Sequence, residues 1–178
     1  GTMNIEVELR SFLTEEQHNE LIDFFTKNGT FINKDYQETH YFDTKDDLRI
    51  QKNDFYSKIC LKKGALHDEC REEVEVKCKT EDFESLQKLF ESMGIAVAVK
   101  WFRTRHSFTW NGLTATLDDT KGFGRILELE KMTSEQDKEA AVAEIKEKMK
   151  LLNVEQATKE ELQKKFQHYK ENWRTLTQ

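Results

Sequence analysis

Apolar and polar residues alternate along NIEVELRSF, residues 4–12, placing Glu6, Glu8 and Arg10 on one side of an extended chain and Ile5, Val7 and Leu9 on the other. The same two-residue period recurs in LRIQ (48–51), KICLK (58–62), REEVEVKC (71–78), WFRTRHSFTW (101–110), LTATLD (113–118) and ILELE (126–130). QETHYFDT (37–44) is extended in character but less definite in phase, and it completes a set of eight expected strands. A helical period appears instead in TEEQHNELIDFFTKNG (14–29), opened by Thr14 and two acids and stopped at Gly29. It appears again in TEDFESLQKLFESMG (80–94), which Thr80 caps and Gly94 stops. Ser134 to Trp173 carries the period of two more helices, broken near Leu152 to Glu155.

The polar side of these strands is mostly charged. Arg49 lies with Gln51; Lys58 and Lys62 flank Cys60; Arg71, Glu73, Glu75 and Lys77 share a face, as do Arg103 and Arg105. Asp118 lies with Thr114 and Thr116, and Glu128 with Glu130. One such face is ordinary for a sheet half exposed to water. Repeated across eight strands, it fits a sheet closed on itself, with charges lining the interior and apolar faces turned out toward the helices. The expected fold is therefore α+β: an eight-stranded antiparallel closed β-barrel with a polar lumen and helices packed outside.

Composition agrees with a polar interior. Hydrophobic residues are 37% of the chain and charged residues 35%, against roughly 45–50% and about 25% in an average globular protein. The 12 Phe, 3 Trp and 4 Tyr exclude a solvated coil. No Pro/Gly/Ser-rich linker interrupts the chain, so residues 3–178 are expected to be one domain, with Gly1 and Thr2 ahead of Met3 as a cloning remnant. A net charge of −6 argues against nonspecific nucleic-acid binding or an anionic membrane surface. Cys60, Cys70 and Cys78 are odd in number and lack zinc-ligand spacing, and no signal peptide or transmembrane-length apolar run is present. A reduced, cytoplasmic protein is expected, as monomer or homodimer.

The expected lumen holds eight bases (Arg10, Arg49, Lys58, Lys62, Arg71, Lys77, Arg103 and Arg105) and seven acids (Glu6, Glu8, Glu73, Glu75, Asp118, Glu128 and Glu130). Glu6 with Glu8, and Glu128 with Glu130, repel unless a hard, oxygen-seeking cation lies between them, which points to Mg2+ or Mn2+. Two such ions would raise the wall from an excess of one base to about +5, complementing the roughly four negative charges of a triphosphate held by Arg forks and Lys point charges. A metal-bound polyphosphate is the ligand this chemistry suggests.

These residues resemble the CYTH, or triphosphate tunnel metalloenzyme, superfamily over nearly the whole chain. EVELR (6–10) is similar to its ExExK signature, LKKG (61–64) to its fourth-strand basic motif, and REEVE (71–75) to its R-x-E-x-E strand. RTRHSF (103–108) is similar to its K-x-R pattern, and DDTKGFGRILELE (118–130) to its final strand pair. Arg10 and Arg103 stand where the family carries Lys, so a permanently charged fork replaces an amine there. The resemblance implies that Glu6, Glu8, Asp118, Glu128 and Glu130 handle metal and water, and that Arg10, Arg49, Lys62, Arg71, Arg103 and Arg105 grip phosphates. QHYKENW is a loose echo of a C-terminal family motif and makes Tyr169 a candidate for closing the tunnel.

The leading expectation is a metal-dependent hydrolase of a triphosphate such as tripolyphosphate, ATP or thiamine triphosphate, with Glu6, Glu8, Glu128 and Glu130 as its catalytic acids. A class IV adenylate cyclase and a non-catalytic polyphosphate- or nucleotide-binding module are the alternatives. Stacking candidates in lumen phase are Trp101, Tyr41 and Tyr56. His18, His40, His67, His106 and His168 are scattered and read as structural, Cys60 as a small filler, and Lys100 as solvated. Gly122 and Gly124 read as a strand turn.

Overall fold

A computed structural model describes residues 3–64 and 68–178; His67 lies outside the described residues. Within them are eight strands, β1 (Ile5–Leu13), β2 (Thr30–Phe42), β3 (Asp47–Lys52), β4 (Ser57–Lys63), β5 (Cys70–Cys78), β6 (Val97–Trp110), β7 (Leu113–Thr120) and β8 (Gly124–Thr133). The helices are α1 (Glu15–Asn28), α2 (Phe83–Ser92), α3 (Lys138–Leu151) and α4 (Lys159–Leu176). The strands close into an antiparallel ring in the order β1-β5-β4-β3-β2-β6-β7-β8, the α+β barrel that the alternating segments predict.

β2 and β6 are longer than their periodicity suggests. They pair from Thr30 opposite Thr109 to Phe42 opposite Val97. Along β2 the inward Asp35, Gln37 and Thr39 alternate with Glu38 and His40, so both faces are polar and the phase is hidden. His40 is fully buried on the outer side, where it contacts Glu38 at 2.7 Å and packs edge-on to Phe83.

Outside the barrel, α1 sets Leu21 and Phe25 against Phe108 and Trp110, and α3 adds Ala141, Ile145 and Met149 over Val7, Leu9, Leu117, Leu127 and Leu129. Thr14 caps α1 in a reciprocal capping box with Gln17. The expected cap at Thr80 does not form: residues 80–82 make a 3-10 turn, and the Lys79 N–H donates to Asp82 Oδ2 at 3.0 Å. α2 then lays Phe83, Leu86 and Phe90 over Phe42 and Ile50. Among the described residues β5 lacks such cover: its outward Val74 and Val76 remain about half exposed.

α4 departs most from an exterior helix. It crosses one end of the barrel, with Tyr169 and Trp173 packed on Trp101, Phe123 and Ile126. Tyr169 is buried, and its hydroxyl donates to the Lys100 carbonyl at 2.7 Å, fixing the helix to β6. The β7–β8 turn fits beneath this helix. Gly122 sits at φ +76°, and a Cβ there would come within 2.8 Å of Leu176, so the turn accepts no side chain. Among the described residues no helix is long and apolar enough to cross a membrane.

Candidate active site

A cavity of about 170 Å³ occupies the lumen. Thirteen of the fifteen expected charged positions line it: Glu6, Glu8 and Arg10 from β1, Arg49 from β3, Lys58 and Lys62 from β4, Glu73 and Glu75 from β5, Arg103 and Arg105 from β6, Asp118 from β7, and Glu128 and Glu130 from β8. Arg71 and Lys77 do not. Lys77 is exposed at the end of β5, its ammonium 4.7 Å from the Tyr56 ring centroid. Arg71 is buried and committed to acids, donating to Asp47 at 2.6 Å and to the lumen residue Glu8 at 3.4 Å. The wall therefore carries six bases against seven acids, more acidic than the alternation predicts.

Strand register brings the acids together. β1 and β8 pair Glu8 with Glu130 and Arg10 with Glu128. Glu6, Glu8 and Glu130 each place one carboxylate oxygen within 4.8 Å of the other two. Burial, then the Glu8 charge, pushes the Glu6 carboxyl up to about 10, although Lys62 lies 2.8 Å away. Burial, then Glu128 and Glu8, raises Glu130 to about 7. Burial also opposes ionisation of Glu8, but Arg10, Lys62 and Arg71 prevail and hold it well below its ordinary value. This donor set fits a hard divalent cation, because the three crowded carboxyl groups offer only oxygen ligands, and burial with mutual repulsion holds Glu6 and Glu130 above their ordinary range despite Lys62.

The bases are tied to acids around this cluster. Arg105 grips Asp118 bidentately through Nε and Nη2, both at 2.7 Å. Arg10 donates to Glu8, and through Nε to Glu128 at 3.1 Å. Arg103 is the least compensated. Its Nε donates to the neutral Gln37 amide oxygen at 2.7 Å, and its closest carboxylate contact is Asp118 at 3.5 Å. Burial and the neighbouring Arg105 lower its affinity for a proton.

Asp47 and Gln37 belong to this network, Thr120 lines the cavity, and all three escape the sequence reading. Asp47 stands one residue before the recognised LRIQ segment; extending its alternation back one step would have found it. It is buried, bonded to both Arg49 and Arg71, and these arginines overcome burial to depress its carboxyl to about 2. A depressed carboxylate stabilises the fold above its unfolded value near 3.8, and the contribution is lost as pH falls through about 2. Asp47→Asn is therefore expected to lower stability at pH 7 by about 2 kcal/mol. Thermal melts should show the difference narrowing between pH 4 and pH 2; a constant difference would exclude this ion pair as its source.

The remaining candidates have structural settings. Among the described residues no histidine lines the cavity. His18 and His106 sit edge to face outside the barrel, and burial lowers the proton affinity of both rings. Cys60 lines the lumen, and burial pushes its thiol up, consistent with a filler. Lys100 points away from the lumen, as expected from its phase opposite Trp101 and Arg103. Trp101 does reach the cavity, but Phe123 and Tyr169 stand at 4.5 and 4.9 Å between ring centroids, while Arg49 covers Tyr41 at 4.6 Å. From α4, Leu162 and Phe166 close this aromatic end; Tyr169 anchors them from behind.

A family model for the CYTH domain matches residues 4–162. Protein MJ0240 of Methanocaldococcus jannaschii, which bears the provisional name adenylate cyclase, is 30% identical over 162 residues, covering 84% of this chain and 90% of its own. Among solved structures, PH1819 of Pyrococcus horikoshii has a TM-score of 0.73 at 24% identity, covering 88% of this chain and 97% of that one. HpAC1 of Hippeastrum, provisionally an adenylyl cyclase and described as revealing a dominant triphosphatase activity, has a TM-score of 0.61 at 20% identity, covering 87% and 92%. At these identities the two structural likenesses establish the fold alone.

Proposed function

The chain belongs to the CYTH family, and on that premise we propose that it is a divalent-metal-dependent triphosphatase, cleaving inorganic tripolyphosphate or the triphosphate of an organic ester inside the barrel. The observation that carries this reading is the division of the lumen. Its middle is a continuous set of arginines, lysines and carboxylates, while the rings at its closed end pack on one another rather than presenting a free face to a base. Such a wall answers to phosphates.

In the proposed reaction the substrate's phosphate oxygens replace carboxylates as partners of the bases. Arg103 takes a phosphate oxygen with least competition, and Arg10 and Arg105 exchange carboxylate forks for phosphate, since charge-assisted bidentate contacts suit either anion. Lys62 and Arg49 add charge from the opposite wall. Glu6, Glu8 and Glu130 would hold Mg2+ or Mn2+, with Asp118 and Glu128 adjoining. A divalent ion bound there supplies charge neutralisation at the phosphates and a lowered pKa for coordinated water. Glu128, between the arginines and the acidic cluster, orients the attacking water and accepts its proton.

With Mg2+ or Mn2+, tripolyphosphate should be cleaved to orthophosphate and pyrophosphate at least as efficiently as ATP or thiamine triphosphate, and ion chromatography of ATP reactions should show only traces of cyclic AMP. A cyclase must hold the ribose 3′ oxygen about 3–3.5 Å from the α phosphorus, which requires contacts to base and sugar. The name of MJ0240 favours that second reading. Cyclic AMP as the dominant product, with tripolyphosphate inert, would establish it; tight binding without turnover would leave a binding module.

A further inference from the structure

On the outer surface, between β6 and the last turn of α4, Lys100, Lys121 and Arg174 line an open groove of about 390 Å³ with Tyr36, Phe102 and Trp173. Net charge is −6, yet among the described residues none of these three cations makes an ion pair. Glu38, on the outer face of β2, is engaged by His40 at 2.7 Å; the charges of Lys52 and Lys100 also help hold its carboxyl below the ordinary value, so Lys100 is partly compensated while Lys121 and Arg174 are not. The groove is held in shape. The Lys121 N–H donates to the Phe102 carbonyl at 2.9 Å, Tyr169 donates to the Lys100 carbonyl, and the Arg174 guanidinium lies 4.6 Å from the Trp173 ring centroid. Trp173 is only 9% exposed, and its indole N–H has no acceptor among the described residues. Tyr36, half exposed, contributes an open ring.

Three clustered cations, two of them with no carboxylate partner among the described residues, beside an accessible aromatic ring suit a phosphate attached to a flat heterocycle, which needs both charge and a stacking surface. We propose that this groove is a second binding site, for a free nucleotide, with phosphate on Lys100, Lys121 and Arg174 and the base on Tyr36. It is distinct from the lumen: Lys100 and Phe102 alternate with Trp101 and Arg103, so the wall of β6 separates the two sites. The inference does not rest on the triphosphatase reading.

Adenosine 5′-monophosphate is the discriminating probe, because it lacks the triphosphate that the lumen is proposed to grip. Equilibrium dialysis should find one bound per chain, unaffected by a lumen variant carrying Arg103→Ala. Binding should be lost with Lys121→Ala and Arg174→Ala together, and weakened about tenfold by Tyr36→Ala. Ribose 5-phosphate, which lacks the base, should bind at least about tenfold more weakly than the nucleotide. All three groove residues are exposed, and matching thermal melts would confirm that the variants fold. No saturation below about 1 mM, or binding lost in the lumen variant and kept in the groove variant, would overturn the proposal. Triphosphate turnover of the lumen variant reports separately on the barrel.

Discussion

Glu6→Gln is expected to lower metal-dependent triphosphate turnover at least about 100-fold while leaving the protein folded, since a bound metal contributes several kcal/mol to such reactions and 1.36 kcal/mol is tenfold in rate. Glu6, Glu8 and Glu130 crowd three carboxyl groups within 4.8 Å, and burial already disfavours charge on Glu6, so an amide of the same shape is tolerated there. Lys62 loses its 2.8 Å ionic partner but retains Glu8 at 3.7 Å. What disappears is a metal ligand. The rise in melting temperature on adding Mg2+ or Mn2+ should vanish with the activity, because a cation that binds the folded state stabilises it. Glu128→Gln should lose turnover on a similar scale. Near-normal activity and an unchanged metal-induced shift in both variants would end the assignment of the metal to the lumen.

Arg103→Ala is expected to raise KM for any triphosphate by roughly 10- to 100-fold, the equivalent of the roughly 1.5–3 kcal/mol of a charge-assisted hydrogen bond. Arg103 donates to a neutral amide at 2.7 Å and lies 3.5 Å from Asp118, so it enters phosphate binding with little to give up. Arg105 is committed to both oxygens of Asp118, and Arg105→Ala would also free a buried carboxylate. Its effect should therefore spread into stability, whereas Arg103→Ala acts mainly on KM. Lys131→Ala, on the outside of β8 facing Glu144 at 3.1 Å, is the matched control and should leave KM unchanged. Equal KM effects from Lys131 and Arg103 would show that the phosphates do not bind inside the barrel.

Much of the barrel is legible along the chain because a strand has a period of two residues, and most segments place charge on one face and apolar groups on the other. The helices were legible from local chemistry, as at Thr14 with its capping box. β2 is legible only over residues 37–42 and without definite phase, because its outward His40 and Glu38 satisfy each other in a setting that sequence alone cannot show.

Which faces are charged, how many strands carry them and which family motifs they form are properties of residue order, so the chain itself determined the polar tunnel and its candidate acids and bases. Which charge meets which was decided only by tertiary structure. Barrel closure sets Glu8 beside Glu130 and Arg10 beside Glu128 across more than a hundred residues of chain. Arg71 is taken up by Asp47 and Glu8, exposure at the strand end removes Lys77, and Asp47 emerges as the link between Arg49 and Arg71. α4 carries an apolar stripe that could have covered any sheet face, yet it stops one end of the lumen because Trp101, Phe123 and Ile126 form an apolar mouth there. Alternation assigns a side chain to a face, but its electrostatic partner depends on register and closure, which arise only when distant strands pair.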